Sequence, residues 1–439
     1  MTRLTLTSIV LATLYAMVVA ETAASGCEKN VSVTSQGDLD AISSCTVFKG
    51  VITMDIVPAA HLKLDGVQQL IGDLVMSGNV DLVSFSAPSL QKVDGNIKII
   101  NHTILNKLEL PLLTEVNGFH LSVLPALEVI NFPAGLVKVN SLRIEDTRAP
   151  QIDGLKSESI ESFTLLSNKH MRSNDLSSLK GITGDMLILG NNPEMPFIAE
   201  NLASIKTATF LNVADIQMPA LTIVQSDISF HENEFSTLAL DKLERIGGTV
   251  TIVNNNKLTE TSFKSLAVVN GALSIGNNTQ LPTIDGFPVL SEIHGTADLA
   301  GSFSEYKLPA LKDVRGGMRL QTTSNKVGCS DLERKLKGEN IAKGNTWSCS
   351  ASMQESELIP TVGQNPSLPN SGTTSGGGGS SNGGTSNGKS GSNSGGSVSN
   401  GKSGSSGSGN METSGSSKVF VQGSTLLAFA VGMAYNLCL

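Results

Sequence analysis

The chain has 439 residues, 31 Lys and Arg against 39 Asp and Glu, a net charge of −8 and 4% aromatic residues. An acidic balance without a basic stripe excludes a nucleic-acid binder, which needs a positive footprint and stacking rings. The five cysteines form no Cys-x-x-Cys cluster, so a structural zinc site is excluded as well.

Residues 1–20, MTRLTLTSIVLATLYAMVVA, place Arg3 before an apolar run that closes on small residues. This is the pattern of a secretory signal peptide, and the run is short for a retained membrane span. Export sets the redox context. Cys438 lies in a tail expected to be removed, which leaves Cys27, Cys45, Cys329 and Cys349 in two close pairs. Sequence proximity pairs Cys27 with Cys45 and Cys329 with Cys349, each bridge closing a loop of roughly 20 residues worth about 3 kcal/mol. Three sequons, at Asn30, Asn101 and Asn277, are expected N-glycosylation sites in an exported chain.

The region 21–353 reads as one domain, with repeats over about 60–325. Turn positions recur at Gly72, Gly95, Gly118, Asn140, Glu161, Gly184, Thr207, Ser226, Gly248, Gly271, Gly295 and Gly316, with gaps of 19 to 24 residues. Apolar residues sit two and four places beyond each turn, as in Ile97/Ile99 and Val250/Ile252. That period of two predicts a short strand with one buried face. Leu90/Val93 and Leu311/Val314, before their turns, predict a second inward wall. One such unit cannot bury its apolar face alone, so the units must stack. The predicted fold is mainly β: a right-handed parallel β-solenoid of about twelve coils of about 22 residues, near 58 Å long at the usual strand spacing of about 4.8 Å. The glycines are expected to supply positive-φ turns. Asn79, Asn101, Asn168, Asn191, Asn233, Asn255 and Asn278 are expected to form a corner ladder, and Pro88, Pro111, Pro219, Pro288 and Pro309 to stiffen the corner before the second wall. End coils need covers. SDLERKLKG predicts a cap helix, with Ser330 and Glu333 as a capping box and Gly338 as its stop, and TSQGDLDAISS an N-terminal counterpart. The disulfides would staple both caps.

Residues 354–417 are Ser, Gly, Asn and Thr with almost no large apolar side chain, and read as a disordered stalk. Within them, GGTSNGKS and GSVSNGKS match a phosphate-loop pattern but lack the flanking strand and helix, so no nucleotide site is expected. The tail 418–439 ends in an apolar run with no basic residue after it. Small residues, spacer and apolar tail form a glycosylphosphatidylinositol (GPI) anchor signal. Ser414 and Gly415 fit the small-residue rule best as attachment sites, and Asn410 fits less well.

The paired end cysteines, the LPxLxxVxGxLxI repeat with its Gly-Asn-Asn corners, the stalk and the anchor tail together resemble one family. It is the fungal GPI-anchored cell-wall family of the sporulation-specific and extracellular-mutant type, with receptor-L-domain-like leucine-rich repeats. The resemblance implies a glycoprotein at the plasma membrane and cell wall, serving wall organisation and integrity or spore-wall assembly. It implies no catalytic residue and no cofactor. The partners expected are wall polysaccharide or wall glycoproteins, and the membrane through the lipid.

Two other readings remain: a receptor-like ligand-binding ectodomain and a solenoid enzyme acting on polysaccharide. The enzyme would need two carboxylates about 5–10 Å apart. Asp73, Asp185 and Asp227 follow their turns by one place; only Asp185 and Asp227 come within two coils, and they read as solvated surface acids. The six histidines, His61, His102, His120, His170, His231 and His294, fall on different coils and read as exposed or strand-side.

Overall fold

The computed structural model describes residues 26–358. The signal peptide, nearly all of the stalk, both phosphate-loop look-alikes and the anchor signal with Asn410, Ser414 and Gly415 lie outside the described residues.

Period-two strands stack into a parallel β-solenoid of about thirteen turns of about 22 residues. Coil 1 is carried by Val47–Lys49 and Ile52–Asp55, coil 2 by Gln69–Ile71 and Leu74–Ser77, coil 3 by Lys92–Ile100, and coil 4 by Glu115–Leu124. The stack runs on to coil 13, with Asp313–Val314 and Met318–Thr322. Coil 1 is the one that the sequence count missed. Its glycine, Gly50, precedes Gly72 by one period, but the segment sits against the N-terminal cap.

Register is set by stacking like residue on like. Val93 pairs with Val116 and Val116 with Val139; Ile99 pairs with Leu121 and Leu121 with Ile144. All of these side chains are buried. In coil 3, Val93 and Ile97 lie on one bulged strand, not on two walls as the spacing suggested. The opposite wall comes from short strands later in each repeat, such as His61–Lys63, Ser84–Ser86 and Lys107–Glu109; Leu62 and Phe85 are buried, and Leu108, in register with them, is partly buried against the core. Phenylalanines fill the wider coils; Phe210 and Phe230 stack at 5.4 Å, and Phe263 and Phe287 at 4.8 Å.

The turn glycines are needed for a different reason from the expected one. Among the turn glycines, only Gly50 and Gly72 have positive φ. At Gly248, Gly271, Gly295, Gly316 and Gly344 the backbones of successive coils lie directly on one another. The Gly248 N–H donates to the Ser226 carbonyl, and each later N–H donates to the glycine carbonyl below, at 2.9 Å for Gly271 to Gly248 and 2.8 Å for Gly295 to Gly271. A Cβ on Gly295 would lie 2.6 Å from the Gly271 carbonyl carbon, closer than packing allows.

The corner also separates two roles that the sequence reading merged. The left-handed residue comes first (Asn101, Asn212, Asn254 or Asn277, or Gly78 and Gly190) and is the one that tolerates φ near +50 to +60°. The ladder residue follows and is buried. Asn255 Nδ2 donates to the Phe230 carbonyl at 3.1 Å, its N–H donates to Asn278 Oδ1 at 2.9 Å, and its Oδ1 accepts the Asn233 N–H at 2.9 Å. Asn168 and Asn191 repeat the pattern. Asn101 is therefore an exposed corner residue, and the ladder position in its coil is His102.

Both caps are stapled as expected, by Cys27–Cys45 and Cys329–Cys349. The first covers helix α1 (Gln36–Asp40), where Asp38 Oδ2 accepts the Thr34 N–H at 2.8 Å and the Ser35 N–H at 3.0 Å. Those bonds hold the Asp38 carboxyl below its usual range. Helix α2 (Cys329–Leu336) starts two residues earlier than predicted. Its N-cap is Gly328, so Ser330 lies inside the first turn and forms no capping box; Gly338 does end the helix, donating to the Glu333 carbonyl at 3.0 Å. The strand Trp347–Ser350 closes the last coil by pairing with Met318–Gln321.

Candidate binding surface

With the core walled off by thirteen coils, any function must lie on outward side chains, corners or gaps between coils. The carboxylates come first. Asp73 Oδ1 accepts the Asn96 N–H at 2.7 Å and its Nδ2 at 3.0 Å. Asp227 Oδ1 accepts the Thr249 N–H at 2.6 Å, and its Oδ2 accepts the Ser226 hydroxyl at 2.9 Å. Both acids are clamps that tie a turn to the next coil. Asp185 is exposed on a strand whose next neighbour at that position is Thr207, not an acid. No group of three or more His, Cys, Asp or Glu among the described residues is placed to hold a metal ion.

Two of the six histidines, His102 and His231, are buried, contrary to the exposed or strand-side expectation. His102 is fully buried in the ladder, against the backbones of Met76 and Asn79, without a well-aligned hydrogen bond from either ring nitrogen. His231 is buried at a strand end. Burial pushes both imidazoles down from the ordinary range. His120 is half-buried between Lys98 and Arg143 in cross-strand register. Burial first, then the Arg143 charge, lowers its basicity. Arg143 is itself held by Glu145, at 2.6 Å.

The acceptor asparagines of all three sequons are exposed. Asn101 and Asn277 hold the same left-handed corner position, eight coils apart. Asn277 Nδ2 donates to Asn254 Oδ1 at 2.9 Å, and Asn30 Oδ1 accepts the Val51 N–H at 2.9 Å.

Sequence reasoning missed one concave feature. On the wall opposite the large sheet, Lys107–Glu109 pairs only with Ser84–Ser86, and Ile130–Leu136 only with Ile152–Leu155. The parallel ladder of this wall lapses between coils 3 and 4, as it also does between coils 8 and 9 and between coils 10 and 11. An opening of about 380 Å³ runs across the first of these breaks, from Lys63, Ser86 and Pro88 on coils 1 and 2 to Leu108 on coil 3 and Val129 and Pro133 on coil 4. A deeper part reaches Phe119 and Phe132, whose rings meet edge to face at 5.1 Å. The signal was present in the repeat: INFPAGLVKV (130–139) is one residue longer than LELPLLTEV (108–116). It carries Phe132 where its neighbour has Leu110 and adds Gly135 at φ +84°.

A stapled parallel solenoid, with Asp73 and Asp227 bound into inter-coil contacts, leaves its outward faces and corners as the available surface. The chain is 31% identical over 321 residues to a cell surface GPI-anchored protein of Arthroderma benhamiae, covering 73% of this chain and 82% of that one. It is 29% identical over 351 residues to protein ecm33 of Aspergillus fumigatus, covering 80% and 85%. It is 28% identical over 293 residues to sporulation-specific protein 2 of Saccharomyces cerevisiae, covering 66% of this chain and 58% of that longer one. The chain belongs to this family of fungal GPI-anchored cell-surface proteins. No family model and no solved structure matches it.

Proposed function

We propose that the protein is a non-enzymatic, lipid-anchored glycoprotein of the fungal surface and wall, whose solenoid organises wall components by binding them. The fate of the carboxylates supports this most directly. Asp73 and Asp227 are consumed by bonds between coils, and Asp185 faces Thr207 on the next coil, so the acid pair that the sequence offered is not assembled. Relatives named as cell wall and GPI-anchored surface proteins support the location. Glycans at Asn30, Asn101 and Asn277 fit their exposed positions. In this reading the stalk carries the solenoid away from the membrane, and the lipid joins at Ser414, Gly415 or Asn410. The bound partners are wall polysaccharide or wall glycoproteins.

The test is complementation. Cells lacking the chain should become sensitive to a wall-perturbing dye. The full chain and its Asp185→Ala variant should restore resistance; a chain ending at residue 417 should not. Loss of rescue by Asp185→Ala, with the protein folded and at normal abundance, would revive the enzyme.

A further inference from the structure

We propose that the fissure between coils 3 and 4 is a docking groove for an extended peptide segment of a wall glycoprotein, which adds as a strand to the free edge of Lys107–Glu109. The wall-scaffold reading supplies only the source of the partner; the groove's chemistry stands apart from it.

Three observations carry the choice of occupant. The first is the free edge. In a parallel ladder, alternate residues bond opposite neighbours. The Lys107 N–H goes to the Val83 carbonyl at 3.4 Å and the Glu109 carbonyl accepts the Ala87 N–H at 2.9 Å, so both serve the coil below. Leu108 is then the residue whose N–H and C=O face coil 4, where no strand pairs with it. Exposed strand edges of this kind recruit extended chains through backbone hydrogen bonds. The second is the lining. Leu108, Leu110, Val129 and the prolines Pro88, Pro111 and Pro133 make the opening apolar. Val129 is 60% exposed, a large aliphatic side chain with no cover among the described residues. Phe119 and Phe132 are buried beneath, so the mouth offers no aromatic face for a sugar ring. Alternate aliphatic side chains of a strand fit such a surface. The third is charge. Lys63 pairs with Asp65 at 2.7 Å and Lys107 with Glu109 at 3.0 Å, so the rim is neutralised in pairs and suits a neutral segment.

The test uses the full chain displayed on fungal cells and three labelled probes. They are acetyl-Thr-Val-Thr-Val-Thr-Val-amide, the same peptide N-methylated at alternate residues, and a linear β-1,3-glucan hexasaccharide. The variants are Val129→Asp and, as a control at another exposed aliphatic site, Ile56→Asp. The first peptide should bind. N-methylation and Val129→Asp should each weaken it by about tenfold or more, and Ile56→Asp by less than about twofold. Absent peptide binding, or binding indifferent to Val129→Asp, overturns the proposal. So does hexasaccharide binding that Val129→Asp removes, which would make the groove a glycan site. Dye resistance of cells carrying Val129→Asp separates the outcomes: scaffold function can persist when this groove fails.

Discussion

At the residue scale, the repeat's most visible letter is a packing requirement. Gly271 lies between Gly248 and Gly295 with backbone against backbone on both sides. Gly271→Ala must push two coils apart, and overpacking of this kind costs about 1–3 kcal/mol. Urea unfolding should show that loss. Gly190 makes the opposite prediction. It has φ +58°, and only the Lys169 ammonium, at 3.9 Å, approaches its missing Cβ. Asparagine occupies that conformation in other coils, so Gly190→Asn should change stability by less than about 0.5 kcal/mol. A large loss there would contradict the division between stacking and corner glycines. The ladder gives a third case. Asn255→Ala leaves the buried Asn233 N–H without its acceptor and the Phe230 carbonyl without its donor. The expected cost is about 1–3 kcal/mol, read from the same urea curves.

At the scale of elements, the caps were legible because chemistry marks them: two cysteine pairs, and an acid three residues after a serine at the N-terminal end. The Ser330 box failed because a second start was available. Gly328 begins α2 two residues earlier, and the disulfide at Cys329 fixes the helix there. The bulged strands were illegible for a related reason. Apolar spacing reports which side chains are inward, and Val93 and Ile97 are both inward; it cannot say whether the glycine between them bends the chain or lets it pass straight through. The fissure was hidden for the same reason, since an added residue at Gly135 leaves the apolar pattern intact while it breaks a ladder. Replacing Cys329 and Cys349 with serine removes about 3 kcal/mol of unfolded-state constraint. The last coil pairs with the stapled strand Trp347–Ser350, so amide exchange should accelerate first in Met318–Thr322. Uniform acceleration over all coils would show that the staple does not guard an end.

At the scale of the whole molecule, stacking makes every coil depend on its neighbours, so one charge forced into the core is felt along the stack. His102 and His231 are buried and held below the ordinary imidazole range by desolvation. Their unfolded-state value is about 6.5. Above that pH both states are neutral and neither residue affects stability. As pH falls below it, the unfolded chain takes up protons that the native chain refuses, and stability drops by up to about 1.4 kcal/mol per pH unit for each histidine. The sign is fixed by the depressed native value: acid destabilises. Thermal unfolding at successive pH values from 7.5 downward should show flat stability and then a decline beginning near 6.5. His102→Asn restores the ladder's ordinary side chain, with a carboxamide that can face Met76 and Asn79 as Asn168 faces Ile144 and Thr147. That variant should lose part of the acid decline and no stability at neutral pH. If its decline equals that of the parent chain, His102 is not one of the groups that the fold keeps neutral.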